Sequence, residues 1–166
     1  MAETTATGGL WYHVPGGSPM PGLVEIDREE AARRIAEACS AFPEVAAALL
    51  FGSALGPCRP DSDIDVGVVR RDREAEGAQG RFKAGLRLEG ALMHRLGDLD
   101  GHAFEVTVLD PDQPLFAMTV VSDGRVCHVG YLDAYTDFLE HVARGYRENA
   151  PRYERALDEV LEESIP

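Results

Sequence analysis

The chain has 166 residues, enough for one domain with a proper core, and its hydrophobic share of 45% and charged share of 27% are typical of globular proteins. Its formal net charge of −13 argues against direct nucleic-acid binding, because contacts to the phosphate backbone need clustered Lys and Arg. An acidic protein can still bind a nucleotide when magnesium supplies the positive charge, and it favours basic proteins or cationic small molecules as partners.

The cysteines and the N-terminus indicate the compartment. Cys39, Cys58 and Cys127 are odd in number and widely separated, so we expect reduced thiols rather than a disulfide framework. His102 and His128 lack the close ligand spacing of structural zinc sites, and zinc is therefore not expected. The first residues lack the basic start and apolar core of a signal peptide, and no later apolar run approaches membrane-spanning length. These features predict a cytoplasmic protein without membrane association.

The N-terminal region divides into an arm and a helix. Residues 1–22 repeat Gly and Pro without a helical period, which predicts a flexible arm, and residues 23–166 are expected to form a single domain. Asp27 and Glu30 have the spacing of a capping box, in which Asp27 caps the helix and Glu30 reaches back to the cap. The apolar residues that follow predict a helix from about 28 to 41.

The next segment has the features of a phosphate-binding turn. The apolar run from Val45 to Phe51 predicts a buried strand, and the following Gly52-Ser53 predicts that it breaks into a tight turn. Glycine lets the backbone approach an anion closely. Serine at the start of a turn offers its hydroxyl beside free backbone N–H groups. Gly52 and Ser53 are therefore candidates for holding phosphate.

A strand with acidic residues follows a loop rich in Pro, Gly and Asp. Asp63 and Asp65 are two residues apart and so share one face of this strand, whereas Ile64 and Val66 point into the core. Two neighbouring carboxylates repel each other unless a cation lies between them, and magnesium prefers such oxygen ligands. The pair predicts a magnesium site next to the phosphate-binding turn.

A helix is predicted beyond a charged loop at 70–77. Apolar residues recur at helical spacing from about 80 to 96. The side predicted to face the core consists of Phe82, Leu86, Met93 and Leu96. The side predicted to face solvent consists of Lys83, Arg87, Glu89 and Arg95. Lys83 and Arg87 would be candidates for reaching a triphosphate, but an ordinary solvated helix face is the favoured interpretation.

The strand predicted from His102 to Leu109 supplies a third acid. Its residues alternate between apolar and polar, and Glu105 is the acidic residue within it. A carboxylate on a strand beside Asp63 and Asp65 would complete a three-acid site able to hold two metal ions. The alternative is a solvent-exposed glutamate without a role.

The C-terminal region is predicted to form two amphipathic helices. Apolar residues recur at helical spacing from Leu132 to Tyr146, and the pattern continues beyond Pro151. Their apolar faces are expected to pack on the core, although the last helix is acidic and available to a partner.

The motif Phe51-Gly52-Ser53, followed by a spacer and Asp63-Ile64-Asp65-Val66, resembles the signature of the polymerase-β nucleotidyltransferase superfamily. The resemblance narrows to the small bacterial nucleotidyltransferases called MNT or MntA-like, which pair with HepT-like toxins, and it covers about residues 30 to 148. It implies an α/β (α+β) fold with a small mixed twisted sheet flanked by helices. The turn and the Asp pair are expected on adjacent strands and Glu105 on the next, with helices over one face of the sheet.

The same resemblance implies an activity and a partner. The expected reaction is Mg²⁺-dependent transfer of AMP from ATP to a hydroxyl, with a tyrosine of a HepT-like toxin as acceptor and this chain as the antitoxin. Asp63, Asp65 and Glu105 would be the catalytic and metal-binding residues. Gly52 and Ser53 would hold the outer phosphates, and Glu105 would complete the second metal site or help to deprotonate the acceptor.

Two departures from the family pattern bear on whether the site is catalytic. The third acid of the family is normally Asp, and Glu105 is one methylene longer. The turn after Gly-Ser normally carries an Arg, but residues 54–57 contain none, which leaves Arg59 or nothing for that role. One alternative is an aminoglycoside-type nucleotidyltransferase that modifies a small cationic compound. The other is an antitoxin that acts by contact with little or no catalysis. The nucleobase, the acceptor and the oligomeric state are not specified by the sequence.

Overall fold

A computed structural model describes residues 22–71 and 77–163 of the chain, with side chains as far as residue 159. Almost all of the predicted N-terminal arm lies outside these residues, as does the middle of the charged loop at 70–77. Both remain predictions.

The described residues form one mixed sheet with helices around it. In chain order the elements are α1 (Arg28–Ser40), β1 (Val45–Phe51), a short 3-10 helix (Gly52–Leu55), β2 (Ile64–Arg70), α2 (Ala78–Leu96), β3 (Asp98–Leu99), β4 (His102–Val108), α3 (Pro114–Asp123), β5 (Arg125–Val129) and α4 (Leu132–Glu163). The strand order is β3-β4-β2-β1-β5. β2 and β4 run parallel, whereas the other neighbours are antiparallel. This arrangement confirms the predicted fold class and the predicted adjacency of the three site strands.

Helices cover both faces of the sheet, so the prediction of a single covered face is wrong. α1 and α2 pack on the face that carries Ile64 and Val66, and α3 and α4 pack on the face that carries Leu49 and Val69. The reason lies in β1, where every residue from Val45 to Leu50 is buried. A strand that is apolar on both sides needs cover on both sides.

The start of α1 was predicted in part. Asp27 caps the helix, since its Oδ1 accepts hydrogen bonds from the backbone N–H groups of Glu29 and Glu30. Glu30 does not reach back to the cap. Its carboxylate accepts instead from the guanidinium groups of Arg33 and Arg34, which hold the pKa of Glu30 at about 2. Two charged donors one turn away compete successfully with a single backbone N–H.

The predicted range of α2 is confirmed, but its predicted inward face is wrong. The buried residues are Gly85, Leu88, Leu92 and Leu96. Phe82 is 66% exposed and Leu86 52% exposed. The leucines repeat every four residues and therefore line one stripe of the helix. Gly85 extends the stripe and faces β4, where a Cβ at this position would make an ordinary van der Waals contact of 3.8 Å with Cβ of Val108.

The two predicted C-terminal helices are one continuous helix, α4, with Pro151 inside it. Proline removes one helical hydrogen bond and usually kinks or breaks a helix. Here Tyr146 and Tyr153 lie on the same side of the helix and their ring centroids are 6.1 Å apart. This contact bridges the proline. Neither α4 nor any other helix in the described residues is long and apolar enough to cross a membrane.

Candidate active site

The phosphate-binding turn forms where β1 ends. Gly52 has a φ of +74°, a backbone conformation that glycine adopts without strain. The 3-10 helix that follows is anchored by the buried Ala54, while Gly52 and Ser53 face solvent. At its end the carbonyl of Leu55 accepts a hydrogen bond of 2.9 Å from Nη1 of Arg28. A guanidinium from α1 therefore lies on a turn whose own sequence contains no arginine.

The strand register brings two of the predicted acids together. Asp65 on β2 is paired with Phe51 on β1 and with Glu105 on β4. Residues that pair directly on adjacent strands lie about 5 Å apart and project from the same face of the sheet. Asp65 therefore lies between the end of β1 and Glu105, as the sequence predicted.

The pKa of Asp65 indicates that Asp63 lies near it as well. Asp63 is exposed and is the residue directly before β2, whereas Asp65 within β2 is half-buried. Burial raises the pKa of Asp65 above its ordinary value, and the negative charges of Glu105 and Asp63 raise it further. Among the described residues no cation pairs with any of these three carboxylates. The site therefore carries uncompensated negative charge.

The turn lies directly against one of the acids, Asp65. A Cβ on Gly52 would lie 3.1 Å from Cγ of Asp65 and nearer still to its Oδ2. Any side chain at position 52 would thus displace the carboxylate. The structure brings Gly52, Asp63, Asp65 and Glu105 to one edge of the sheet, with Ser53 next in the chain.

One residue that the sequence analysis did not assign to the site holds its loop. His102 at the start of β4 is buried, and its Nδ1 lies 2.7 Å from the carbonyl oxygen of Ser62, directly before Asp63. A histidine that opens an alternating strand carries no sequence signal for this contact, because the contact depends on β2 and β4 being neighbours. Arg59, the sequence candidate for the missing arginine, pairs within the loop with Asp61 at 2.7 Å.

The donor set fits a hard divalent cation in its chemistry. Carboxylates are the ligands that magnesium prefers, and a cation would relieve the repulsion that raises the pKa of Asp65. In the described part of the chain, however, no three His, Cys, Asp or Glu side chains are grouped so that they could hold a metal ion. The pairing of β2 with β4 places Asp65 beside Glu105. To bind one metal ion together with Asp65, the exposed side chains of Asp63 and Glu105 would have to rotate toward it.

An aromatic pair borders the acids. The rings of Phe51 and Phe116 meet edge to face, with centroids 5.9 Å apart and an interplanar angle of 75°. Phe51 is half-buried, whereas Phe116 on α3 is 42% exposed. Since Phe51 pairs directly with Asp65, this pair lies on the face of the sheet that carries the acids.

The chain is a mixed α/β domain in which a Gly-Ser turn lies beside acidic residues of two neighbouring strands. Solved structures share this fold. The sequence matches no protein-family model and no curated protein. A crystal structure of a toxin-antitoxin with AMP-PNP has a chain that is 20% identical, with a TM-score of 0.52 over 78% of this chain and 98% of that chain. A mutant of the toxin-antitoxin MntA-HpeT has a chain that is 17% identical, with a TM-score of 0.51 over 82% of this chain and 99% of that chain. At such identities the likeness establishes the fold.

Proposed function

We propose that this protein is an MntA-like, magnesium-dependent nucleotidyltransferase that transfers AMP from ATP to a hydroxyl of a partner protein. The observation that carries the proposal is the contact between the turn and the acids, where Gly52 lies against the Asp65 carboxylate and Asp65 pairs with Glu105. Nucleotidyl transfer requires a triphosphate and negatively charged metal ligands side by side. The AMP-PNP in a solved structure of the same fold supports ATP as the substrate.

The proposal gives each candidate residue a role. Asp63, Asp65 and Glu105 would hold Mg²⁺, which when bound neutralises charge on the triphosphate. Gly52 and Ser53 present a backbone N–H and a hydroxyl to the outer phosphates. The acceptor oxygen forms a bond to the α-phosphorus while the bond to the pyrophosphate breaks. The acceptor proton passes to solvent if Glu105 is a metal ligand, or to Glu105, an exposed carboxylate, if it lies outside the metal site.

The proposed acceptor is a tyrosine of a HepT-like toxin, with this chain as the antitoxin. The solved structures of the same fold come from toxin-antitoxin complexes. The net charge of −13 favours association with a more basic partner. A reaction that uses intracellular ATP and magnesium belongs in the cytoplasm, and this location is part of the proposal.

Calorimetry and a transfer assay test the proposal. ATP should bind in the presence of Mg²⁺ and not in the presence of a chelator. Wild type should then label a HepT-like protein encoded beside its gene when incubated with labelled ATP and Mg²⁺, as followed by the mass of the partner. The variant Asp63→Asn with Asp65→Asn should not label it. This variant should remain folded, or become more stable, because it removes carboxylates that repel each other.

A different result would favour the antitoxin that acts by contact. Glu105 in place of the family's Asp and the ungrouped side chains of the described site are the observations that support this second function. If neither wild type nor the Asn variant labels the partner, and both neutralise it equally, the catalytic proposal is wrong.

A further inference from the structure

An aromatic surface lies beside the proposed phosphate site. Phe51 is the last residue of β1 and directly precedes Gly52, which begins the turn. Because Phe51 pairs with Asp65 across β1 and β2, its ring and the carboxylate project from the same face of the sheet. The ring of Phe116 meets the ring of Phe51 at 5.9 Å and at 75°.

Phe116 is not one of the residues that α3 packs into the core. α3 contributes Ala117 and Val120 to the core, both essentially inaccessible, whereas Phe116 keeps 42% of its surface exposed. The edge-to-face contact with Phe51 fixes the orientation of the Phe116 ring and leaves part of it in solvent. Phe82 is also largely exposed, at 66%. It lies on α2, which packs on the opposite face of the sheet from Asp65, and so offers a matched comparison.

We propose that Phe116, held in place by Phe51, is the surface on which the nucleobase of the bound nucleotide stacks. This inference rests on the proposed function, since it takes the triphosphate to lie at Gly52 and Ser53. A nucleotide with its phosphates at Gly52 and Ser53 would place its base beside the adjoining face of the sheet, where the exposed ring of Phe116 offers a surface for stacking. Every nucleobase has a π face, so stacking of this kind strengthens binding without selecting one base.

Binding of two ligands separates stacking from phosphate recognition. Affinities for ATP and for inorganic tripolyphosphate, each with Mg²⁺, are measured by calorimetry on wild type, Phe116→Ala and Phe82→Ala. We expect Phe116→Ala to weaken ATP binding about tenfold and to leave tripolyphosphate binding unchanged. GTP should lose affinity to the same extent as ATP. Phe82→Ala should change none of these affinities.

Two further variants distinguish stacking from a loss of packing. Phe116→Leu keeps an apolar side chain and part of the contact with Phe51 but removes the ring, so ATP should bind it more weakly than wild type. Phe116→Trp keeps an aromatic face and should bind ATP at least as well as wild type. Thermal melts of each variant verify that it is folded.

Each of the following results would overturn the inference. ATP affinity that does not change in Phe116→Ala would exclude stacking while leaving the proposed function intact. An equal loss of ATP and tripolyphosphate affinity would show that Phe116 supports the phosphate site instead. Unchanged ATP binding with reduced labelling of the partner would assign Phe116 to the acceptor. If wild type binds neither ligand, the proposed function itself fails together with this inference.

Discussion

The substitution Gly52→Ala tests whether the turn and the acids act as one site. Position 52 has a φ of +74°, and a Cβ there would lie 3.1 Å from Cγ and 3.4 Å from Cβ of Asp65. The new methyl group would also meet Oδ2 of Asp65 at a still shorter distance. The carboxylate must therefore rotate away from the turn.

The expected loss of stability is moderate and the expected loss of function is large. A residue other than glycine in the left-handed region costs about 1–2 kcal/mol, which lowers the melting temperature of a domain of this size by about 3–6 °C. Rotation of the half-buried Asp65 adds little, because the side chain can move into solvent. Loss of one charge-stabilising group typically lowers a rate by about a hundredfold or more. We therefore expect Mg²⁺-dependent ATP binding to weaken and AMP transfer to fall by about that factor.

The control lies in the same turn. Gly56 has a φ of −152°, and a Cβ there would have no atom within 4 Å. Calorimetry with Mg²⁺ and ATP, the transfer assay and a thermal melt are carried out on wild type, Gly52→Ala and Gly56→Ala. Gly56→Ala should match wild type in all three. Unchanged ATP binding by Gly52→Ala would refute the placement of the Asp65 carboxylate in the site, and equal losses in both variants would show a general effect on the turn.

Two further predictions concern packing and pH. Gly67→Ala places a Cβ 2.9 Å from Cγ1 of Val120 and 3.1 Å from Cδ1 of Leu109, so overpacking should destabilise the protein by about 1–3 kcal/mol. Denaturant unfolding measures the change in the free energy of unfolding. Stability equal to wild type would contradict the close approach of α3 to the sheet. Glu29 accepts two hydrogen bonds of 2.8 Å from Arg125, and this guanidinium lowers the pKa of Glu29. The stabilisation by this pair is therefore present above the ordinary pKa of 4.5 and is lost as the pH falls through the lowered pKa of the folded state. At neutral pH, Glu29→Gln should melt at a lower temperature than wild type. In acid, where Glu29 of the wild type is protonated, the two proteins should melt at the same temperature. A difference in melting temperature that persists in acid would contradict the reasoning.

The local patterns in the sequence were sufficient for the strands of the site. The run from Val45 to Phe51 predicts β1 because it is apolar without interruption, and the alternation after His102 predicts β4. The pairing of Asp65 with Glu105, in contrast, cannot be predicted from local patterns. The two residues are far apart in the chain, and no local pattern specifies that β2 and β4 are parallel neighbours joined across α2. The contact between His102 and Ser62 was missed for the same reason.

The errors in the helices have local causes. The prediction for α2 gave weight to Phe82 and Leu86, large apolar residues that remain exposed. The buried stripe is instead the one that contains Gly85 and the leucines at 88, 92 and 96. The break predicted at Pro151 ignored the contact between Tyr146 and Tyr153 on either side of it. In both cases side-chain packing outweighed a rule about residue type.

The charge at Asp65 has no explanation in the stability of the fold. The residue is half-buried at a position where an apolar or neutral side chain would cost less, and Glu105 and Asp63 both make its ionised form less stable. Among the described residues no Lys, Arg or His pairs with it. Carboxylates whose pKa is raised by burial and by neighbouring like charges are concentrated at functional sites, because there the charge is needed for binding or chemistry. A protein with a net charge of −13 gains nothing in solubility from one more carboxylate at the edge of its core. A cation held between these carboxylates, as proposed above, would offset both the burial and the repulsion, because its attraction favours the ionised form of Asp65.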